Sequence, residues 1–127
     1  MSGRVSTMAR VECGYAHPDE ETVSLEAIFH ALSDPYRLRI VRTLAASAVP
    51  MNCGDLSFGR PKSSMSHHFR ILRASGVLHT ASHGVEHMNS LRREMLDRRF
   101  PGLMAAVLGE IGHSTTTEAS ARPLTPA

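Results

Sequence analysis

Two cysteines, no tryptophan and an aromatic share of 5% leave this chain of 127 residues short of the usual anchors. Cys13 and Cys53 are too few for a disulfide framework, so a reducing cytoplasm is the expected compartment. No stretch approaches the roughly 18 apolar residues of a membrane span, and the first ten residues lack the apolar heart of a signal peptide. No membrane partner is therefore expected. Gly-rich phosphate loops, nucleophile elbows and paired carboxylates are missing, and the many Ser and His residues have no acidic partner at a suggestive spacing. These absences argue against an enzyme, and no cofactor is expected. Charge of one sign is not in excess either, with 14 Lys and Arg against 12 Asp and Glu. Its distribution is uneven. Arg60, Lys62, Arg70 and Arg73 share a segment without a single acid, while Glu12, Asp19, Glu20, Glu21 and Glu26 crowd the N-terminal part. A basic patch on a nearly neutral chain fits an anionic partner met on one face.

What is present is helical periodicity. In residues 62–76, Met65, Phe69 and Leu72 recur at i, i+4 and i+7, an apolar stripe aimed at a core. Ser63, Ser66, His67, Arg70 and Arg73 lie on other sides, all hydrogen-bond formers and none acidic. Gly76 is placed to end the helix in the left-handed conformation, with Val77 packing back on it. A helix with a buried stripe and an acid-free donor face suits insertion into a DNA major groove. An ordinary solvated surface helix is the alternative from this segment alone.

The flanking segments supply context. Residues 1–20 show no sustained period and are expected as a flexible arm. Ser24 suits the N-cap of a helix carrying Leu25, Ile28, Phe29 and Leu32. Asp34 and Pro35 suit the N-cap and first position of a second helix to about Ser47. That helix is expected to bury Leu38, Val41, Leu44 and Ala45 and to turn Arg37, Arg39 and Arg42 elsewhere. A short third helix would hold Asp55, Leu56 and Phe58 before Gly59-Arg60-Pro61 breaks the chain. Beyond Gly76 two strands, 77–82 and 85–91, are expected around a His83-Gly84 turn. Helix returns at 92–99, and Leu103, Met104, Val107, Leu108 and Ile111 mark a final one. Residues 113–127, rich in Thr, Ser, Ala and Pro, read as a disordered tail. The order α-α-α-α-β-β-α-α over residues 21–112 is that of a winged helix-turn-helix, mainly α with a small β-hairpin, in a single DNA-binding and dimerisation domain.

Two segments also resemble a known family. ALSDPYRLRIVRTL (31–44) is similar to the second-helix signature of the ArsR (arsenic-repressor-like) transcriptional regulators, and SSMSHHFRILRASGV (63–77) to their recognition helix. With NSLR (89–92) at the end of the wing, the resemblance spans about residues 24–112. It implies a cytoplasmic, homodimeric regulator, usually a repressor, that binds a palindromic operator in double-stranded DNA. The expected dimer interface uses Leu25, Ile28 and Phe29 of the first helix and Leu103, Val107 and Ile111 of the last. Two recognition helices would then meet half-sites about ten base pairs apart. Ser63, Ser64, Ser66 and His67 are the expected base contacts, and Lys62, Arg70 and Arg73 the expected phosphate contacts. The chain departs from the family pattern at the wing tip, which carries Glu86 and no Arg, and in a third helix about two residues short.

Metal sensing of the family type is not expected. Aligned on Asp55-Leu56, Asn52 and Gly54 stand where relatives carry two thiolates, and Cys53 falls between them. One soft ligand makes no tight site for a soft metal. Asp97 and His113 lack a second pair, and His79 and His87 fall on opposite faces of the expected hairpin. A small organic effector is the leading expectation. A redox switch at Cys53, with Cys13 the one other thiol, is an alternative, as is a winged-helix module that binds protein instead of DNA.

Overall fold

A computed structural model describes the backbone of residues 9–12 and residues 15–110 in full. The chain forms two compact units, one through Arg92 and one from Arg93.

The first unit begins with a surprise. Strands β1 (Ala9–Glu12) and β2 (Tyr15–Pro18) pair antiparallel, within the segment expected to be a flexible arm. His17 of β2 is buried, and its Nε2 accepts the Thr80 N–H at 3.0 Å. Tyr15 Oη bonds His87 Nδ1 at 2.8 Å. Both partners lie more than sixty residues downstream, which is why no local pattern announces the strand.

Helix α1 (Leu25–Ala31) starts as expected at Ser24, whose Oγ accepts the Ala27 N–H. Helix α2 (Pro35–Ala46) starts at Asp34, whose carboxylate accepts from the Tyr36 and Arg37 amides at 2.8 and 3.2 Å. Replacing such caps with Ala typically costs about 0.5–2 kcal/mol. α2 buries Arg37, Ile40, Val41 and Leu44, whereas Leu38 is half-buried and Ala45 exposed. Arg37 thus departs from the sequence expectation. Its guanidinium donates to the carbonyl of Ala31, the last residue of α1, and to that of His30, which also accepts from Ser33.

The expected third helix is absent. After the two-residue strand β3 (Met51–Asn52), residues 53–59 make consecutive turns. Leu56, Ser57 and Arg60 donate three residues back, to Cys53, Gly54 and Ser57. Asn52 Oδ1 takes the Asp55 amide and Ser57 Oγ donates to the Cys53 carbonyl, so local side chains compete with the helical ladder. Leu56, fully buried, pins the turns to the core. Phe58 sits at a φ of +53°, under the Arg39 guanidinium at 4.0 Å.

Helix α3 (Lys62–Ser75) buries Met65, Phe69, Leu72 and Ser75. It ends at Gly76, with φ +91°, where Gly76 N–H reaches the Arg73 carbonyl and Val77 N–H the Leu72 carbonyl. That pair of bonds is the Schellman motif. Only glycine fits, since a Cβ there would stand 2.5 Å from Val23 Cγ2. Strands β4 (Leu78–His83) and β5 (Glu86–Leu91) follow, giving the sheet order β3-β5-β4. The turn is Gly84-Val85, one residue later than expected, with His83 opposite Glu86. Gly84 takes the positive φ, +66°, at the first central position, as a type II′ turn requires. His79 and His87 still face opposite sides of the sheet, since His79 pairs with Ser90 and His87 with Ser82.

The second unit holds α4 (Arg93–Arg99) and α5 (Leu103–Val107). Arg93 bonds both oxygens of Asp97 and both of Glu110, tying the start of α4 to the residues that follow α5. α5 is shorter than expected, and Ile111 lies outside the described residues. Among the described residues no helix is long and apolar enough to cross a membrane.

Candidate nucleic-acid interface

At about 100° per residue, the four buried positions of α3 leave one open face. Ser63, Ser66, His67 and Arg70 are exposed on it, and Lys62 is exposed at the helix start. Ser64, expected among the base contacts, is half-buried and donates from Oγ to the Pro61 carbonyl at 3.1 Å. The open face therefore keeps three of the four expected base-reading side chains and two of the three expected phosphate anchors.

Arg73 is the exception among the cations. It borders Phe69 on the edge of the buried stripe and is half-buried, its guanidinium 4.5 Å from the centre of the Tyr15 ring. Burial pushes its pKa below the ordinary guanidinium value, and Arg70 adds to this, while Tyr15 and Cys53 act the other way. It remains charged, as guanidinium groups in proteins do. Its stacking partner comes from β2, so the displacement from the outer face follows from a strand the sequence did not announce.

The open face rests on a polar support. Arg37 Nη1 donates to His68 Nδ1 at 3.1 Å, joining the end of α1 to the middle of α3. A guanidinium has no acceptor, so Nδ1 carries no proton in this contact and the ring is neutral. Burial holds the His68 pKa below the usual histidine value; nearby Asp34 opposes this, and the charges of Arg37, His67 and Arg60 reinforce it. Asp34 lies 3.8 Å from the same ring nitrogen. Burial raises the Asp34 pKa, but the amides of Arg37 and Tyr36 and the nearby Arg37 charge outweigh it and hold the group below its usual value. Tyr36 stacks on His68, and Arg60 lies over Tyr36 at 4.7 Å.

On the wing side of α3 a cleft of about 500 Å³ opens toward the 53–57 turns, the wing tip and Tyr15. Cys53 is half-buried on its wall, and its Sγ accepts from Asn89 Nδ2 at 3.3 Å. The same nitrogen donates to the Met51 carbonyl, while Asn89 Oδ1 accepts from Thr80 Oγ1 at 2.7 Å. Asn89 is thus the buried knot that fastens β3 and the turns to the wing. Val85 at the wing tip is 92% exposed. Among the described residues no three His, Cys, Asp or Glu side chains are grouped to hold a metal ion. His79 stacks on His17, with ring centres 4.4 Å apart.

The expected dimer residues divide. Ile28 is fully buried and belongs to the core of its own subunit, a correction that follows from its position beside Ala31 on the inner edge of α1. Leu25 and Phe29 lie on the opposite edge of the stripe, and Phe29 is 54% exposed. Leu103 and Val107 are half-buried.

The helix-turn-helix domain family matches residues 32–81 of this chain. YceK, an uncharacterised HTH-type transcriptional regulator of Bacillus subtilis (strain 168), is 35% identical over 79 residues, covering 61% of this chain and 79% of that protein. Among solved structures, the ArsR family transcriptional regulator RHA00566 superposes with a TM-score of 0.51 at 21% identity, over 78% of this chain and 93% of the other. An ArsR-like transcriptional regulator from Rhodococcus sp. RHA1 gives 0.50 at 23% identity, over 76% and 87%.

Proposed function

This chain belongs to the HTH-type transcriptional regulators, and from that premise we propose that it acts as an ArsR-like homodimeric repressor on a two-fold symmetric operator. One observation carries the reading most directly. The open face of α3 presents Ser63, Ser66, His67 and Arg70 to solvent, in a segment from 60 to 73 without a carboxylate. Ser66 and His67 read base edges, each able to donate or accept, while Lys62 and Arg70 hold phosphates and set register. Leu25 and Phe29 on α1 are the apolar surface a second copy would cover, and Leu103 and Val107 add a further patch. Two-fold symmetry then asks for half-sites about ten base pairs apart. Occupancy of a promoter-proximal site is the simplest output of such a dimer.

Gel-shift and sedimentation measurements on a two-fold site and on a single half-site test this together. Two chains per symmetric site, with far weaker retention of the half-site, are expected. Equal affinity for both would contradict the dimer. Leu25→Glu with Phe29→Glu should yield monomers.

Thiol control is a second reading, favoured by Cys53 Sγ lining the cleft while bonded to Asn89. A bulky adduct on that sulfur strains the attachment of β3 to the wing. DNA binding compared in reduced and oxidised protein, with Cys53→Ser alongside, separates this from a thiol that only packs.

A further inference from the structure

The cleft beside α3 combines features that a solvated surface groove does not need. Met65 and Phe69 form an apolar floor, exposed by only 1% and 4%. Arg73 flanks it with a half-buried guanidinium that, among the described residues, has no hydrogen-bond or ion-pair partner, only the face of Tyr15. Tyr15 is itself fixed, its hydroxyl on His87 Nδ1 and its ring set edge-on to that imidazole. Cations outnumber acids around the rim, with Arg60, Lys62 and Arg73 against Glu86. The volume of about 500 Å³ is that of an ordinary small-molecule site, where apolar walls hold the body of a ligand and a few polar groups orient it.

We propose that this cleft binds a small organic anion with a flat apolar body, an aromatic carboxylate in chemical class, its carboxylate on the Arg73 guanidinium and its body over Met65 and Phe69. A planar guanidinium offers two parallel N–H donors to a carboxylate, which fixes orientation as well as affinity. A DNA phosphate makes poorer use of the site, because a phosphodiester gains nothing from an apolar floor. Lys62 and Ser66 line the same cleft and stand at the edge of the open face of α3. A bound anion therefore changes the surface offered to DNA. That consequence rests on the DNA-binding reading, whereas occupancy of the cleft does not.

The test is a calorimetric titration of the full-length protein, without DNA, with 2-naphthoate, its neutral isostere 2-naphthamide, and dimethyl phosphate. Naphthoate should bind at least about tenfold tighter than either, the difference a charge-assisted pair supplies. Arg73→Gln, shown folded by circular dichroism, should lose that preference. The Met65 methyl resonance should move with naphthoate and stay still with naphthamide, which decides the matter if the variant does not fold. Equal binding of acid and amide, binding of neither, or a preference that survives in folded Arg73→Gln would overturn the proposal. So would dimethyl phosphate matching naphthoate, which would assign the cleft to the DNA backbone. Repeating the naphthoate titration beside a DNA-shift assay keeps the two readings apart: charge-selective binding by a protein that ignores DNA supports the cleft and removes only the regulator.

Discussion

The two flanks of α3 are built by opposite means. The side chains of its outer face are set by the helix itself, since the helical period places Ser63, Ser66, His67 and Arg70 on one exposed side. Its wing-side flank is assembled from distant pieces, with Tyr15 supplied by β2, Cys53 by the turns and His87 by the wing. A helix can therefore offer a rigid, simple surface to a long polymer on one side and share a shaped cleft on the other. The first arrangement suits a repeating groove and the second a compact ligand.

Substitutions can break this contrast at different depths. The largest effect is expected at Gly76, where Ala meets both a positive φ and Val23. About 2–4 kcal/mol of stability should be lost, read from denaturant midpoints, and both flanks should fail together. Asn89→Ala comes next. It leaves Thr80 and the Met51 carbonyl without their buried partner, at a cost of about 1–3 kcal/mol. Because the knot belongs to the wing side, ligand binding in the cleft should suffer more than DNA binding measured well below the melting temperature. Arg70→Ala addresses the outer face alone. It should weaken binding to all DNA sequences alike and reduce the salt slope by about one charge, with thermal stability nearly unchanged.

The smallest effect is a pH dependence from His68. Its pKa is lowered in the fold, so the unfolded chain binds the proton more readily. Its contribution is complete above the unfolded value of about 6.5 and is lost as pH falls below that toward the folded value. Midpoints measured from about pH 7.5 to about pH 5.5 should decline, and less steeply in His68→Gln, whose amide oxygen still accepts from Arg37. An identical slope in the variant would remove His68 from the account.

The same division explains what the sequence disclosed. Ser24, Asp34 and Gly76 were legible because caps act over two to five residues, and the α3 stripe because its period is local. Arg37 was not, since its partners are carbonyls at the end of another helix and a neutral ring on a third. The expected helix at 55–58 gives way to turns because Asn52 and Ser57 offer the backbone nearer partners. Tyr15 and His17 looked like part of a loose arm because their contacts reach residues 80 and 87. For the hairpin, the sequence indicated a turn at glycine but not which central position the glycine would take.

The claim on which the rest depends is that the outer face of α3 meets DNA. Binding of the purified protein to fragments of its own upstream region, followed as a function of salt for wild type and Arg70→Ala, tests it most directly. The account predicts preference for one palindromic fragment, a steep fall of affinity with salt, and a slope shallower by about one charge in the variant. Absent binding, or binding indifferent to salt and to Arg70, would contradict it.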